Sequence, residues 1–338
     1  MRAFVVDRYG PTGLRAAELP EPHIGPRDVL VRVHAASVNP LDKMIRNGEF
    51  KLLLNYKPPF VLGHDLAGTV EQLGADVRDF VIGDEVYSRP RDLRIGAFAE
   101  YIAIDHDDLA LRPKSLSMHE AAAVPLVALA AWQALVDIAN VKPGQKVLVH
   151  AGAGGLGSTV VQLARYLGAH VAATANGRDE EKVRGFGAQE VLDYTTVDFA
   201  KVLSGYDVVL DSIGGENLVK SLTVLRLGGL AISVVGPPDA AFATQVGRRL
   251  MKPVLSLLSS GVRARASKCG VRYKFFFMRA SGSQLQTLAN LYDTGALRPV
   301  LDRVFPFEDT LQAMAHVEQG RARGKVVVSM RPAAAWPQ

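Results

Sequence analysis

The sequence predicts an α/β protein in which a doubly wound parallel-sheet domain is inserted into a mainly β domain. Three observations predict it. Short β-rich runs fill the first ~120 residues, strand and helix patterns alternate from Lys146, and helical and strand patterns resume after about residue 282.

A length of 338 residues suits about two domains of roughly 150 residues each. An apolar fraction of 48% and a charged fraction of 22% belong to a folded chain with a substantial core, which excludes disordered and fibrous classes. The formal charge of +5 and a pI near 9.3 leave a basic excess that suits nucleic acid, anionic lipid or an anionic cofactor. Eight of the basic residues lie between Arg248 and Lys274. The single cysteine, Cys269, excludes an internal disulfide and a four-cysteine zinc site and fits a reducing cytosol. The opening residues lack the long apolar run of a signal peptide, and nothing reaches the ~18 apolar residues of a membrane span. A soluble, cytoplasmic protein is expected.

Taken in order, residues 4–6, 29–33 and 81–87 predict strands of the first domain, set between Gly, Pro and Asp turns. Residues 121–135, rich in Ala and Leu, predict a helix crossing between the domains, with a kink at Pro125. Residues 147–150, 171–174, 191–192, 208–210 and 230–235 predict parallel strands, residues 160–167 a helix, and residues 272–278 the last strand of that sheet. Residues 283–292 and 311–319 read as helices and 325–329 as a closing strand. The mainly β domain is therefore expected to comprise residues 1–120 and 282–338, and the cofactor domain residues 121–281 with a basic helical insert at 241–271. The Ala-Pro tail after Met330 is expected to fray.

The run Gly152-Ala153-Gly154-Gly155-Leu156-Gly157 sits between an apolar strand and an amphipathic helix. In that helix Val160, Val161, Leu163, Ala164 and Leu167 form one buried stripe, and Gly168 supplies a C-terminal stop. Gly152, Gly154 and Gly157 are spaced for a tight turn that brings backbone N–H groups to a pyrophosphate, so a dinucleotide is expected there. A Walker-type site is disfavoured because no Lys-Ser or Lys-Thr closes the loop.

The second strand of that domain ends Thr174-Ala-Asn-Gly-Arg178, without the acid that binds adenosine ribose hydroxyls in NAD-specific folds. At ~4 Å an acid would repel a 2′-phosphate by about 4 kcal/mol per unit charge at an effective dielectric near 20, whereas Arg178 attracts it. NADPH is expected, with Thr174 and Asn176 as neutral donors and Tyr194 against the adenine side. The alternative is a solvated Arg178 and use of both cofactors.

Further segments are Ser37-Val-Asn-Pro-Leu-Asp42 with Arg46 and Gly48, Gly63-His-Asp-Leu-Ala-Gly68, Gly83-Asp-Glu-Val-Tyr87, Asp207-Val-Val-Leu-Asp-Ser-Ile-Gly-Gly215 and Gly324-Lys-Val-Val-Val328. In order and spacing, over nearly the whole length, the chain resembles the medium-chain dehydrogenase/reductase superfamily and, within it, the zinc-free quinone oxidoreductase branch. The basic insert and the stretch from Phe275 to Val328 resemble more narrowly the reticulon-4-interacting-protein-like subgroup. The resemblance implies a Rossmann domain inserted in a GroES-like domain, NADPH use, and a homodimer joined along the edge of the cofactor sheet. It extends the expected cofactor contacts to Ala153, Gly155, Leu156, Ser212, Ile213, Gly214, Val235 and Lys325. One departure is Ala130, where many relatives carry a threonine hydroxyl near the nicotinamide.

No metal is expected. Zinc-dependent relatives hold the metal with cysteine and histidine, but here the matching loop reads Asn39-Pro-Leu-Asp42, without a thiol. His64, aligned with a zinc-ligand position, does not by itself make the three-ligand site of catalytic zinc. Without a Lewis acid, a conjugated acceptor is favoured, because an enone or quinone spreads the incoming negative charge that an isolated ketone would localise. The expected reaction is hydride transfer from NADPH to a quinone or α,β-unsaturated carbonyl, with the proton from water or a tyrosine. Asn39 is expected to orient the carbonyl or the nicotinamide ribose, Asp42 to hold its loop, and Tyr56 to donate to the enolate oxygen, with Tyr87 as a weaker candidate. The plain alternatives are an Asx-stabilised turn around Pro40 and an aromatic packed on Pro58 and Pro59.

Residues 241–271 read as one basic amphipathic helix: packed on its own protein, serving as a lid, or making peripheral contact with a membrane. Nucleic acid is disfavoured because no aromatic-rich basic motif accompanies the charges. Two alternative functions stay open: a zinc-free carbonyl reductase or alcohol dehydrogenase, and an NADPH-binding interaction protein with little turnover.

Overall fold

A computed structural model describes residues 1–320 and 322–330, so the tail after Met330 lies outside the described residues. Two compact units divide the chain: Met1–Leu129 with Arg279–Gln338, and Ala130–Met278.

The first unit opens with β1 (Arg2–Val6), β2 (Leu14–Glu18), β3 (Asp28–Val38), α1 (Pro40–Asn47), β4 (Phe60–Val61), β5 (Asp65–Leu73), β6 (Glu85–Ser88), β7 (Tyr101–Asp105) and β8 (Leu109–Leu111). After these come α2 (Met118–Ala123) and α3 (Pro125–Trp132), the second of which crosses the division between the units. The expected helix over residues 121–135 is thus broken at Val124, because Pro125 has no N–H to continue the ladder, and it passes into a π-helical turn at Gln133–Ile138.

The second unit holds β9 (Lys146–Val149), α4 (Gly155–Tyr166), β10 (His170–Ala175), α5 (Glu180–Gly185), β11 (Glu190–Asp193), α6 (Phe199–Val202), β12 (Tyr206–Asp211), α7 (Gly215–Val224) and β13 (Leu225–Ser233). It ends with α8 (Ala240–Gln245), α9 (Lys252–Leu258), α10 (Ser260–Lys268) and β14 (Arg272–Phe275). The chain then returns to the first unit through α11 (Gly282–Asp293), β15 (Leu301–Pro306), α12 (Thr310–Glu318) and β16 (Lys325–Ser329).

In the first unit β3 is the trunk. β5 pairs along one side of it, while β7 and β16 share the other, at residues 28–32 and 35–38 respectively. In the second unit six parallel strands run β11-β10-β9-β12-β13-β14, the doubly wound order expected of a dinucleotide-binding sheet. Leu148, Ala172, Val209 and Ala231 lie side by side on neighbouring strands of this sheet and meet Leu218 and Val262 in a single core.

Three expected elements differ in detail. The strand over residues 81–87 starts only at Glu85: Val81 N–H donates to Asp84 Oδ2 and Gly83 takes φ +94°, so turn chemistry wins over β-propensity and Val81 and Ile82 stay exposed. The last strand of the cofactor sheet stops at Phe275, where its partner β13 ends at Ser233, and Phe276, Phe277 and Met278 are buried beyond it. The basic insert is three helices, not one, interrupted by Gly247 at φ +72° and divided again at Ser259.

Candidate active site

The turn between β9 and α4 is too tight for side chains at two of its glycines. A Cβ on Gly157 would overlap the Ala151 carbonyl oxygen and lie 2.7 Å from its carbon, while one on Gly152 would lie 2.8 Å from the Ala173 Cβ. Gly154 caps α4 with no side chain, so the first N–H groups of the helix, on Gly155, Leu156 and Gly157, have no capping acceptor and stand ready for an anion. A second turn follows β12, the strand beside β9: Asp211 Oδ1 accepts from Ile213 N–H at 3.1 Å and Gly214 N–H at 2.9 Å, and Ser212 Oγ donates to the His150 carbonyl at 3.3 Å. Gly214 turns at φ +76°, close beside the half-exposed Val235.

Beyond β10, Asn176 Oδ1 accepts from Arg178 N–H at 3.3 Å, and the Arg178 side chain is 66% exposed. Tyr194 stands exposed next to Ala175, whose carbonyl its N–H reaches at 3.1 Å. Two acids stand near: Asp179 Oδ2 lies 3.9 Å from Arg178 Nε, and Asp193 accepts from Thr195 N–H and Oγ1 at 2.9 and 2.8 Å, bonds that hold its pKa below the usual aspartate value. Thr174, read as a phosphate donor, points inward: its hydroxyl meets His150 Nδ1 at 3.0 Å and accepts from Ala151 N–H at 3.3 Å.

His150 sits behind the turn with no exposure. Ser221 Oγ donates to the Asn217 carbonyl at 2.7 Å, so His150 Nε2–H donates to Ser221 Oγ at 2.8 Å and Nδ1 accepts from Thr174. That pattern fixes the neutral ring. Burial pushes its pKa from 6.5 down to about 4, against the pull of Asp211. Because the folded value is depressed, the unfolded chain binds the extra proton between those two values and stability falls as pH drops from about 6.5 toward 4. Urea unfolding should show a loss of roughly 2 kcal/mol between pH 7 and pH 4.5 from this group, and His150→Gln should flatten that part of the curve.

The first unit carries a buried polar cluster where β3 runs into α1. Asp65 is its hub: Oδ2 accepts from Ser37 Oγ and Asn39 Nδ2, both at 2.9 Å, and from Lys325 Nζ at 3.3 Å, while Oδ1 accepts from Leu126 N–H at 2.8 Å. Lys325 also donates to Asn39 Oδ1. Burial lowers the Lys325 pKa, opposed by Asp65. Asp42 accepts the Asn39 N–H at 2.7 Å through Oδ2 and meets His64 Nδ1 at 2.6 Å through Oδ1. His64 Nε2 is buried and has no hydrogen-bond partner among the described residues, which leaves the cluster one polar atom to offer a ligand or water.

The structure thus brings Asn39, Asp42 and Lys325 together around Asp65, His64 and Ser37. The last three were not read as site residues, although the Gly63-His-Asp segment and Ser37 had both stood out as motif. Tyr56 is buried, tilted against Phe60 at 5.0 Å, and its hydroxyl accepts from Leu93 N–H at 3.0 Å. Burial raises its pKa well above that of free tyrosine, so it stays a neutral donor. Tyr87 donates to the Leu285 carbonyl at 2.6 Å, which commits its proton elsewhere.

Comparison with known proteins matches two family models to the chain, the alcohol dehydrogenase GroES-like domain at residues 25–114 and the zinc-binding dehydrogenase at residues 186–328. The chain is 34% identical to the mitochondrial NAD(P)H oxidoreductase RTN4IP1 of Mus musculus, over 98% of this chain and 89% of that protein. It is 33% identical to the chloroplastic NADPH-dependent alkenal/one oxidoreductase of Arabidopsis thaliana, over 97% and 79%. Among solved structures, the quinone oxidoreductase from Coxiella burnetii superposes with a TM-score of 0.86 at 30% identity, over 98% of this chain and 99% of that one.

Proposed function

Because the chain belongs to the medium-chain dehydrogenase/reductase superfamily, in its quinone oxidoreductase branch, we propose a reading of which residues serve cofactor and substrate. The protein is an NADPH-dependent oxidoreductase acting on a quinone or α,β-unsaturated carbonyl. When bound, NADPH supplies the hydride. The observation that carries the reading is the glycine turn at residues 152–157, which leaves no room for a Cβ at Gly152 or Gly157 and opens onto uncapped N–H groups, followed by the run 174–178, which holds no acid and leaves Arg178 exposed.

In this reading the N–H groups of Gly155, Leu156 and Gly157 bind the pyrophosphate, and Arg178 binds the 2′-phosphate. Asn39 orients the substrate carbonyl or the ribose from a position fixed by Asp65 and Asp42. Tyr56 or water supplies the proton. Arg178→Ala should raise the KM for NADPH by about tenfold, the loss of one charge-assisted hydrogen bond, and leave the KM for NADH nearly unchanged. Equal effects on both would remove Arg178 from phosphate recognition. Steady-state NADPH oxidation against a panel of quinones and enones tests the substrate class, and Asn39→Ala with Tyr56→Phe tests the roles in the first unit.

We also propose that turnover needs no zinc. In support, the Lys325 ammonium lies 3.3 Å from Asp65 and is itself held by Asn39, so a cation already occupies this cluster and a divalent ion would meet its repulsion. Among the described residues the one group spaced for a metal is Asp105, His106 and Asp107, whose Asp105 carboxylate lies 3.3 Å from Arg27 and 3.2 Å from Arg91. Turnover after dialysis against a chelator checks this. A homodimer joined through the outer edge of β14, whose only partner among the described strands is β13, is proposed in the same sense and is testable by sedimentation. A cytoplasmic location is proposed on the single cysteine and is checked by fractionation.

A further inference from the structure

Helix α9 carries apolar side chains on two faces, and one of those faces has no cover. Leu255 is buried, whereas Leu250, Val254, Leu257 and Leu258 are 95, 54, 76 and 58% exposed. Their i, i+4, i+7, i+8 spacing gathers them on one side of the helical run formed by the 3₁₀ turn Arg249–Met251 and α9. Helix α10 behaves differently: Val262 and Ala266 enter the core. Arg263 fastens it to α9 by donating to Ser256 O and Oγ at 2.8 and 2.9 Å. The outward leucines therefore add nothing to the packing of their own unit. Single exposed leucines are ordinary, but a contiguous group rimmed by polar residues marks a docking surface.

The charge of the rim identifies what docks. Between residues 240 and 292 the chain has no Asp or Glu. Arg249, Lys252, Arg263, Arg265 and Lys268 are all exposed, and the segment has no acid of its own. A second copy is a poor occupant, because a twofold contact sets the patch against itself and brings cations onto cations. Nucleic acid would leave the leucines unused, and neither α9 nor α10 has an aromatic side chain on which a base could stack. A surface that is both anionic and apolar just beneath uses every part of the patch.

We propose that the face formed by Arg249–Met251, α9 and α10 docks the protein on a bilayer leaflet containing anionic lipid. The leucines enter the headgroup boundary and the cations meet lipid phosphates. The contact is interfacial, since no helix among the described residues is long and apolar enough to cross a membrane. The proposal goes beyond the redox reading and does not depend on it.

Co-sedimentation of the full chain with vesicles tests it, using phosphatidylcholine alone against phosphatidylcholine with about a third phosphatidylglycerol, at about 50 and about 500 mM salt. Binding should need phosphatidylglycerol and should fall steeply at high salt. Arg249→Gln with Lys252→Gln should weaken it on the order of 30-fold, roughly fivefold per cation. Leu250→Ser with Leu257→Ser should weaken it by about tenfold or more. All four positions are exposed, so melting temperature and turnover of a water-soluble quinone should not change in either variant. Equal binding to both vesicle types, or indifference to both double variants, overturns the proposal. So does a leucine variant that changes the sedimentation coefficient but not vesicle binding, because the face would then join copies of the chain.

Discussion

Gly157→Ala should raise the NADPH dissociation constant on the order of 100-fold, the loss of one or two charge-assisted hydrogen bonds, while Gly154→Ala should stay within about threefold of the parent. The contrast follows from what each added methyl meets. At Gly157 the obstacle is the Ala151 carbonyl, with its carbon 2.7 Å away, and a backbone group cannot rotate aside. The turn must open, and the N–H groups at the start of α4 move away from the pyrophosphate. At Gly154 the nearest atom stands at 3.3 Å and φ is −76°, a conformation any residue adopts. Calorimetric titration of both variants with NADPH decides the matter. Equal losses would mean that the missing side chain at Gly154 makes room for the pyrophosphate itself and that the clash within the turn is not what decides.

Asp65→Ala should cost about 3–5 kcal/mol and lower the melting temperature by roughly 10 °C, because it strands the buried Lys325 ammonium without its carboxylate. The same change removes the acceptor of Ser37, Asn39 and Leu126 N–H. Adding Lys325→Met to Asp65→Ala should recover at least half of the loss, since removing both charges is far cheaper than orphaning one. Differential scanning calorimetry of the two single variants and the double variant measures the coupling. If Asp65→Ala alone costs under about 1 kcal/mol, the carboxylate is not the hub that its four donors indicate.

What could be read from the sequence was local. The strand, glycine turn and helix around residues 147–167 lie within one stretch of chain, and their periodicity and φ requirements are written there. Arg178 was visible by its place after β10. Asp65 was not, because its importance comes from β3 and β5 running side by side and from Lys325, which lies 260 residues further along. No periodicity links such positions. Residues 241–271 misled for a different reason: charge and leucine content favour helix throughout, yet one glycine at positive φ and a division at Ser259 separate three short helices.

The position of β16 has a consequence for the order in which the protein can be made. Val326 and Val328 lie opposite Val38 and Ala36 of β3, so an early strand finds this neighbour only after nearly 290 further residues have been made. At typical elongation rates of about 5–20 residues per second, that flank of β3 waits roughly 15–60 s for its partner. Residues 130–278 meanwhile emerge as an unbroken stretch able to collapse on their own. A nascent chain stalled before Lys325 would hold a finished nucleotide-binding half joined to a sheet with one naked flank, a form inclined to aggregate through that edge.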